Sequence, residues 1–396
     1  MPHIKFSSMA KHVKSSAIRE VLKYSENPEM ISFGGGYPSP SAFPRQEIIK
    51  LCKKVLEEHS KIPLQYGPTE GLNVIRDALA KRMHSKHIRC TRKDILITTG
   101  SQQAIFLLSQ ILLDKNDIII VERPSYLGAL NAFSLFQPKF VDIEMDHEGM
   151  KTDELERLLK HIRGKRKVKF LYTVPTFQNP TGYTMVLERR KHLIELADRY
   201  DFMIIEDDPY AELYYSGKDI RKLKSLSSDR VVYLSSFSKI LCPAFRLAWM
   251  IAPKEILEKA SVAKQSVDLC SSNFTQFIAY EYMNLGIVDR QIKKIRSIYK
   301  RKRDIMLSAL DRHLTGIAQW TRPEGGMFIW VELKKHINTY TLFKHTIREK
   351  VVFIHGAPFF VRNPKYNTMR LNFTNTDDNK IEEGIKRLRK AIDRMA

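Results

Sequence analysis

The sequence predicts an α/β fold: a large domain with a mostly parallel, seven-stranded-type sheet covered by helices, plus a smaller α+β domain from the N- and C-terminal segments. Three observations predict it. From about residue 45 to 285, short β-branched apolar runs alternate with helix-patterned segments. Those runs are apolar on both faces, as strands buried inside a parallel sheet must be. After about residue 286 the alternation gives way to a long basic helix, grouped strands and a closing helix, the signature of an α+β unit. The expected boundaries are therefore 1–44 for an N-terminal segment joining the small domain, 45–285 for the large domain and 286–396 for the small C-terminal domain.

The first stretch, MPHIKFSSMAKHVKSSAIR, is basic, serine-bearing and free of acid until Glu20. Organellar transit peptides share that composition, so two readings stand, a transit segment or part of the fold. The predicted strands follow in order: DILITT (94–99), DIIIV (117–121), KFVDI (139–143), VKFLYTV (168–174), FMIIE (202–206), VVYLS (231–235) and LAWMIA (247–252). SQQAIFLLSQILL and ERRKHLIELADRY carry helical spacing between them. Beyond 286, MFIWVEL, VVFIHG and TMRLNF read as strands and KIEEGIKRLRKAIDR as the last helix. There is no internal repeat and no low-complexity linker.

Composition narrows the function. A chain of 396 residues, 43% hydrophobic and 28% charged, can bury a large core and is no small binding module. Its four cysteines, Cys52, Cys90, Cys242 and Cys270, lie far apart with no CxxC pair, which argues against a zinc site or disulfide framework and fits a reducing, cytoplasmic setting. His84 and His87 in MHSKH read as a polar helix end, and no metal is expected. The net charge of +22 raises the question of nucleic acid or membranes. Yet the densest patches, HIRGKRKVK (161–169) and KKIRSIYKRKR (293–303), sit beside no zinc-finger spacing, RNP-like motif or helix-turn-helix. A solvated basic surface with no specific nucleic acid is the expectation. No apolar run approaches the roughly 20 residues of a membrane helix.

Open parallel sheets bind ligands beyond the carboxyl ends of their strands, so the turns there come first. GSQQ (100–103) opens a helix where N–H groups and the dipole favour a phosphate. It lacks both GxGxxG and GxxxxGK[ST], so neither a dinucleotide nor a nucleoside triphosphate is indicated. PTFQNPTG (175–182) and DDPY (207–210) follow two other strands. SSFSKILCPAFRLAW (235–249) places Lys239 and Arg246 in a segment too apolar for a solvated surface. Each piece alone is weak, since Asn-Pro-Thr-Gly and Asp-Asp-Pro are ordinarily turns. Together they are what pyridoxal phosphate requires: a lysine for its aldehyde, serine, arginine and a helix end for its phosphate, and a carboxylate for its pyridine nitrogen.

GSQQ, FLYTVPTFQNPTG, IIEDDPY and SFSK, in that order and spacing, resemble the class I/II aminotransferases of the fold-type I pyridoxal phosphate enzymes. The likeness is to the branch containing 2-aminoadipate, kynurenine and aromatic amino acid aminotransferases, and it spans nearly the whole chain. The resemblance implies that Lys239 is the Schiff-base lysine and proton carrier, its pKa depressed by neighbouring charge and burial. Ser236, Ser238 and Arg246 would hold the phosphate, with Ser101 and Gln102 at the helix end; for Ser238, plain turn packing is nearly as good a reading. Asp207 rather than Asp208 would meet the pyridine nitrogen, because the family's acid precedes its tyrosine, here Tyr210, by three residues. Tyr210 and Asn179 would share the ring oxygen, and Tyr126 would stack on the ring, although a tyrosine after a strand is ordinarily core.

The resemblance also gives the substrate contacts. Arg370 matches the arginine for the α-carboxylate, an anion that would relieve the desolvation of an arginine on an apolar strand. Gly36 and Asn179 would lie beside that carboxylate, and Arg19, in SSAIRE, would contact substrate, which favours keeping the N-terminus in the fold. Phe33, Tyr37 and Tyr126 would line an apolar wall. Tyr66, in LQYGPTEG, would reach the phosphate of a second subunit, which implies a homodimer with shared sites. CPAF (242–245) departs from the family's usual Pro-Gly pairing. The expected reaction is a ping-pong exchange between an aromatic, aliphatic or 2-aminoadipate-like amino acid and a 2-oxo acid such as 2-oxoglutarate. A lyase or decarboxylase on the same fold is one alternative. An aminotransferase-like transcription regulator is another, against which stands the arrival of SSAIRE and FGGGYPSP within the first 40 residues, where regulators carry a DNA-binding domain.

Overall fold

The structure, a computed structural model, describes residues 4–12, 17–59, 61–162, 167–215, 220–227 and 229–395. Residues 1–3 and 13–16 of the basic N-terminal stretch, and 163–166 of the patch at 161–169, lie outside them. In chain order the strands are β1 (Ile31–Ser32), β2 (Ile95–Thr98), β3 (Ile118–Arg123), β4 (Lys139–Asp146), β5 (Gly149–Met150), β6 (Val168–Thr173), β7 (Met203–Asp207), β8 (Val231–Ser236), β9 (Ala248–Ile251), β10 (Ala318–Trp320), β11 (Phe328–Leu333), β12 (Val351–Val352), β13 (Ile354–His355) and β14 (Thr368–Asn372).

Among the described residues the large sheet has eight strands in the order β2-β9-β8-β7-β6-β3-β4-β5. Its centre is parallel; β9 runs antiparallel to both neighbours and the two-residue β5 antiparallel to β4. The seven predicted strands are all present, and β5 is the addition, too short to leave a pattern in sequence. Side-chain alternation divides the core into two layers: Ile119 and Val121 of β3 face one cluster, Ile118 and Ile120 the other. Helices cover both faces. Ser101–Leu112 buries Ala104, Ile105, Leu107 and Leu108, and Leu187–Tyr200 buries Leu193, Ile194, Leu196 and Ala197, each at helical spacing.

A second, antiparallel sheet runs β10-β11-β14-β13, while β1 pairs in parallel with β12. Here one expectation is corrected. VVFIHG is not a single strand: β12 joins β1 and β13 joins β14, with the fully buried Phe353 between them. The chain changes partner at Phe353, and sequence spacing carries no trace of that. The long helix Ile287–His313 explains the basic patch at 293–303. Ile292, Ile295, Tyr299, Met306 and Leu310 are buried on one side, while Lys293, Lys294 and Lys300 are exposed on the other. Lys302 and Arg301 both pair with Asp378 of the closing helix Asp378–Asp393. Among the described residues no helix is long and apolar enough to cross a membrane.

Candidate active site

The carboxyl ends of β2, β3, β6, β7 and β8 converge on a cavity of about 240 Å³, closed on the far side by Phe328 of β11, Arg370 of β14 and the Gly36–Tyr37 turn. After β2, Gly100 takes φ 82°, a left-handed conformation that suits glycine, and starts the helix at Ser101. A Cβ at Gly100 would collide with the Arg246 guanidinium, so the glycine lets that charge lie over the helix end. Arg246 itself takes φ 49° after the tight turn Pro243–Phe245 formed by CPAF. The Ser101 hydroxyl is buried with no partner. Ser236 Oγ donates to Ser238 Oγ (2.8 Å) and accepts from the Ser238 amide (3.0 Å), fixing the turn that leads to Lys239. Gln102 Nε2 donates to the Gly128 carbonyl at 2.8 Å, and the Tyr126 hydroxyl reaches its Oε1 at 3.4 Å.

The half-buried Lys239 side chain ends with Nζ donating to the Gly36 carbonyl at 2.9 Å. Desolvation, then the nearby Arg370 and Arg246 charges, lower its pKa to about 8. Asp207, at the end of β7, accepts from the Tyr172 hydroxyl through Oδ2 at 2.7 Å and leaves Oδ1 buried and unpartnered. Desolvation raises its pKa to about 7, helped by Asp208 and Glu122 and opposed by the Tyr172 hydrogen bond. Asp208 is turned elsewhere: Tyr233 donates to its Oδ2 at 2.9 Å and it does not line this cavity. Asn179 links two groups, donating to the Tyr210 hydroxyl (3.3 Å) and accepting from Arg370 Nη1 (2.9 Å). Arg370 is 1% exposed, donates its Nη2 to the Gly34 carbonyl at 2.8 Å, lies 4.3 Å from the Phe328 ring centroid and has an unpartnered Nε. Burial lowers its pKa to about 10. Burial also pushes the Tyr210 phenol well up and the Tyr126 phenol up to about 12, so both stay protonated.

Most residues singled out in the sequence thus meet: Gly36, Ser101, Gln102, Tyr126, Asn179, Asp207, Tyr210, Ser236, Ser238, Lys239, Arg246 and Arg370 all line one cavity. Three do not. Tyr66 is 80% exposed and Arg19 is exposed on the helix Ala17–Leu22, and neither lines the cavity of this chain. Phe33 is corrected: it is fully buried against Gly384 of the closing helix and forms no cavity wall, whereas Tyr37 does. Sequence reading passed over Tyr172, Phe328 and the Gly34 carbonyl. Tyr172 sits inside the strand run FLYTV and alternates with Phe170, so its signal is that of core. Phe328 shares that disguise within MFIWVEL.

A family model described as aminotransferase class I and II matches residues 31–388. The chain is 46% identical over 390 residues to aromatic-amino-acid aminotransferase 1 of Thermococcus litoralis, covering 98% of this chain and 94% of that one. It is 38% identical over 391 residues to the 2-aminoadipate transaminase of Thermus thermophilus, covering 98% and 96%. Among solved structures, the Pyrococcus horikoshii kynurenine aminotransferase in complex with PMP matches with a TM-score of 0.95 and 44% identity, over 98% of this chain and 97% of that one.

Proposed function

The chain belongs to the class I and II aminotransferases and is a pyridoxal phosphate-dependent enzyme, and on that premise we propose that it exchanges an amino group between an aromatic, aliphatic or 2-aminoadipate-like amino acid and a 2-oxo acid, 2-oxoglutarate among them, by a ping-pong route. The observation that carries this reading is a charge imbalance. Three cations, Lys239, Arg246 and Arg370, surround a cavity with one acid, Asp207, and none of the three has a carboxylate partner among the described residues. A phosphate at the Arg246 end and a substrate carboxylate at the Arg370 end correct it. The unpartnered Ser101 Oγ, Asp207 Oδ1 and Arg370 Nε suit the phosphate, the ring nitrogen and the substrate carboxylate respectively.

Pyridoxal phosphate, when bound, supplies an aldehyde for the amino group and a protonated ring that accepts the electron pair released at the substrate α-carbon. Arg246, Ser101, Gln102, Ser236 and Ser238 would hold its phosphate, the arginine by a bidentate contact. Asp207 would hold the ring nitrogen through Oδ1, while Asn179 and Tyr210 would donate to the ring oxygen and Tyr126 would cover the ring face. Arg370 would orient the α-carboxylate beside Gly36 and Asn179. Lys239 would carry the proton at the α-carbon, and a pKa of about 8 leaves a usable fraction as neutral amine near pH 7.

A homodimer with shared sites belongs to the same proposal, supported by the exposure of Tyr66 and of Ile62 and Leu64 beside it. So does the division at 45–285, which the pairing of β1 with β12 rather than with the large sheet favours. The unpaired cysteines favour a cytoplasmic location, and the exposed lysine face of the long helix favours a solvated basic surface over specific nucleic-acid binding. The test is absorbance of the yellow holoenzyme, expected to bleach with an amino acid and recover with a 2-oxo acid. Lys239→Ala should lose multiple turnover while staying folded, and substantial turnover by it would refute the role of Lys239. Mixed Tyr66→Phe and Lys239→Ala chains should recover activity in heterodimers, whereas full activity in a verified monomer would refute shared sites.

A further inference from the structure

The two adjacent acids at the end of β7 are each met by a tyrosine, from opposite neighbouring strands. Tyr172 on β6 donates to Asp207 Oδ2 at 2.7 Å; Tyr233 on β8 donates to Asp208 Oδ2 at 2.9 Å. Both phenols are buried. Only the first pair touches the cavity, because Asp207 lines it and Asp208 does not.

We propose that Tyr172 is a positioning residue for cofactor binding: its phenol occupies Oδ2 of Asp207, so that Oδ1 alone faces the cavity and the carboxylate remains the form that meets the ring nitrogen. The inference rests on the assignment of Asp207 to that nitrogen. Its geometric ground is that a carboxyl group has two equivalent oxygens and rotates about its last bond. A donor fixed on one oxygen selects one orientation. Tyr172 is itself held, with its ring 5.4 Å from Phe133 in an edge-to-face contact within the core.

The groups facing Asp207 act in opposite directions. Burial disfavours its charge most, and Asp208 beside it and Glu122 on β3 add to that; the Tyr172 hydrogen bond is the opposing contribution. Tyr126 after β3 and Tyr210 after β7 stay neutral, and Leu234 on β8, opposite Asp207, is apolar. Without the phenol, Asp207 therefore protonates at higher pH, and a neutral carboxyl group no longer favours a protonated ring.

The experiment compares Tyr172→Phe, Tyr233→Phe and Asp207→Asn with wild type by titrating pyridoxal phosphate into the stripped full-length chain and reading absorbance from pH 6 to 9. Melting temperatures are measured alongside. Tyr172→Phe should bind the cofactor roughly tenfold more weakly near pH 7, the loss of one charge-assisted hydrogen bond. Its loss of affinity on acidification should begin about one pH unit higher than in wild type. Tyr233→Phe should lower the melting temperature and leave the affinity curve in place. Combined with Asp207→Asn, Tyr172→Phe should add nothing. Wild-type affinity and pH dependence in Tyr172→Phe, with Asp207→Asn weakened, would overturn the positioning role alone. Equal loss in both tyrosine variants would overturn it too, as an effect of core damage. Wild-type binding by Asp207→Asn would instead remove the assignment on which the inference stands.

Discussion

Two arginines among the described residues are almost fully buried, and their surroundings differ in one respect. Arg190 lies behind the turn that follows β6, donating to the carbonyls of Met185 (2.8 Å) and Pro175 (2.7 Å) and to Thr176 Oγ1 (2.9 Å), with Glu206 at 3.9 Å. Arg370 donates to Asn179 and to the Gly34 carbonyl and faces no acid. Burial lowers both pKa values. For Arg190 the carboxyl groups of Glu206, Asp208 and Glu122 oppose that shift, whereas Arg370 has only the phenols of Tyr210 and Tyr126, which stay protonated, to oppose it. A buried cation whose counter-ion is built in is structure. One whose counter-ion is missing waits for an anion from outside, and the second case marks the site.

The largest expected effect tests that contrast directly. Arg190→Leu should cost about 3–5 kcal/mol of stability in chemical denaturation, since it strands Glu206 without its buried cation. Arg370→Leu should cost less than half of that, yet lower kcat/KM roughly 10- to 100-fold by losing the carboxylate contact. Equal stability losses would break the contrast.

Next in size is a pH effect at Lys239. Its folded pKa is depressed to about 8, while an unfolded lysine keeps its proton to about pH 10.4. Between those values the unfolded chain binds more protons, so this group's contribution to stability rises with pH across that window; below it, both states are protonated and the burial penalty is fully present. In the cofactor-stripped chain, Lys239→Met should therefore raise the melting temperature more at pH 7 than at pH 10. A gain that does not change with pH would mean that the Nζ is solvated.

The smallest effect concerns a third arginine, the exposed Arg19. If it pairs with the distal carboxylate of glutamate or 2-aminoadipate, Arg19→Ala should raise KM for dicarboxylates by a factor of about 5, the loss expected for an exposed ion pair. Aromatic substrates should change little. Equal changes on both classes would make Arg19 structural and leave Arg370 as the chain's own carboxylate contact.

Local pattern made much of this legible. Every strand of the large sheet but the two-residue β5 announced itself by β-branched runs, and the glycine, serine, acid and lysine that follow those strands, each weak alone, together point to one cofactor. Tyr172 and Phe328 escaped because an aromatic residue at strand spacing reads the same whether it packs or faces a cavity. Phe33 was misplaced for the same reason. The split of VVFIHG was invisible because both halves have the same composition and differ only in their partners.

What the sequence by itself determined is therefore the α/β fold, the order of the cavity's motifs and the lysine among them that lines the cavity, because these depend on residue types within a few positions of one another. Tertiary structure decided the pairings: Lys239 with the Gly36 carbonyl, 203 residues away, Arg370 with Asn179, 191 residues away, and Tyr172 rather than Tyr233 with the acid that faces the cavity. Burial and orphaned hydrogen-bonding atoms exist only once distant segments exclude water together, so no local spacing can encode which buried charge has been left without its partner.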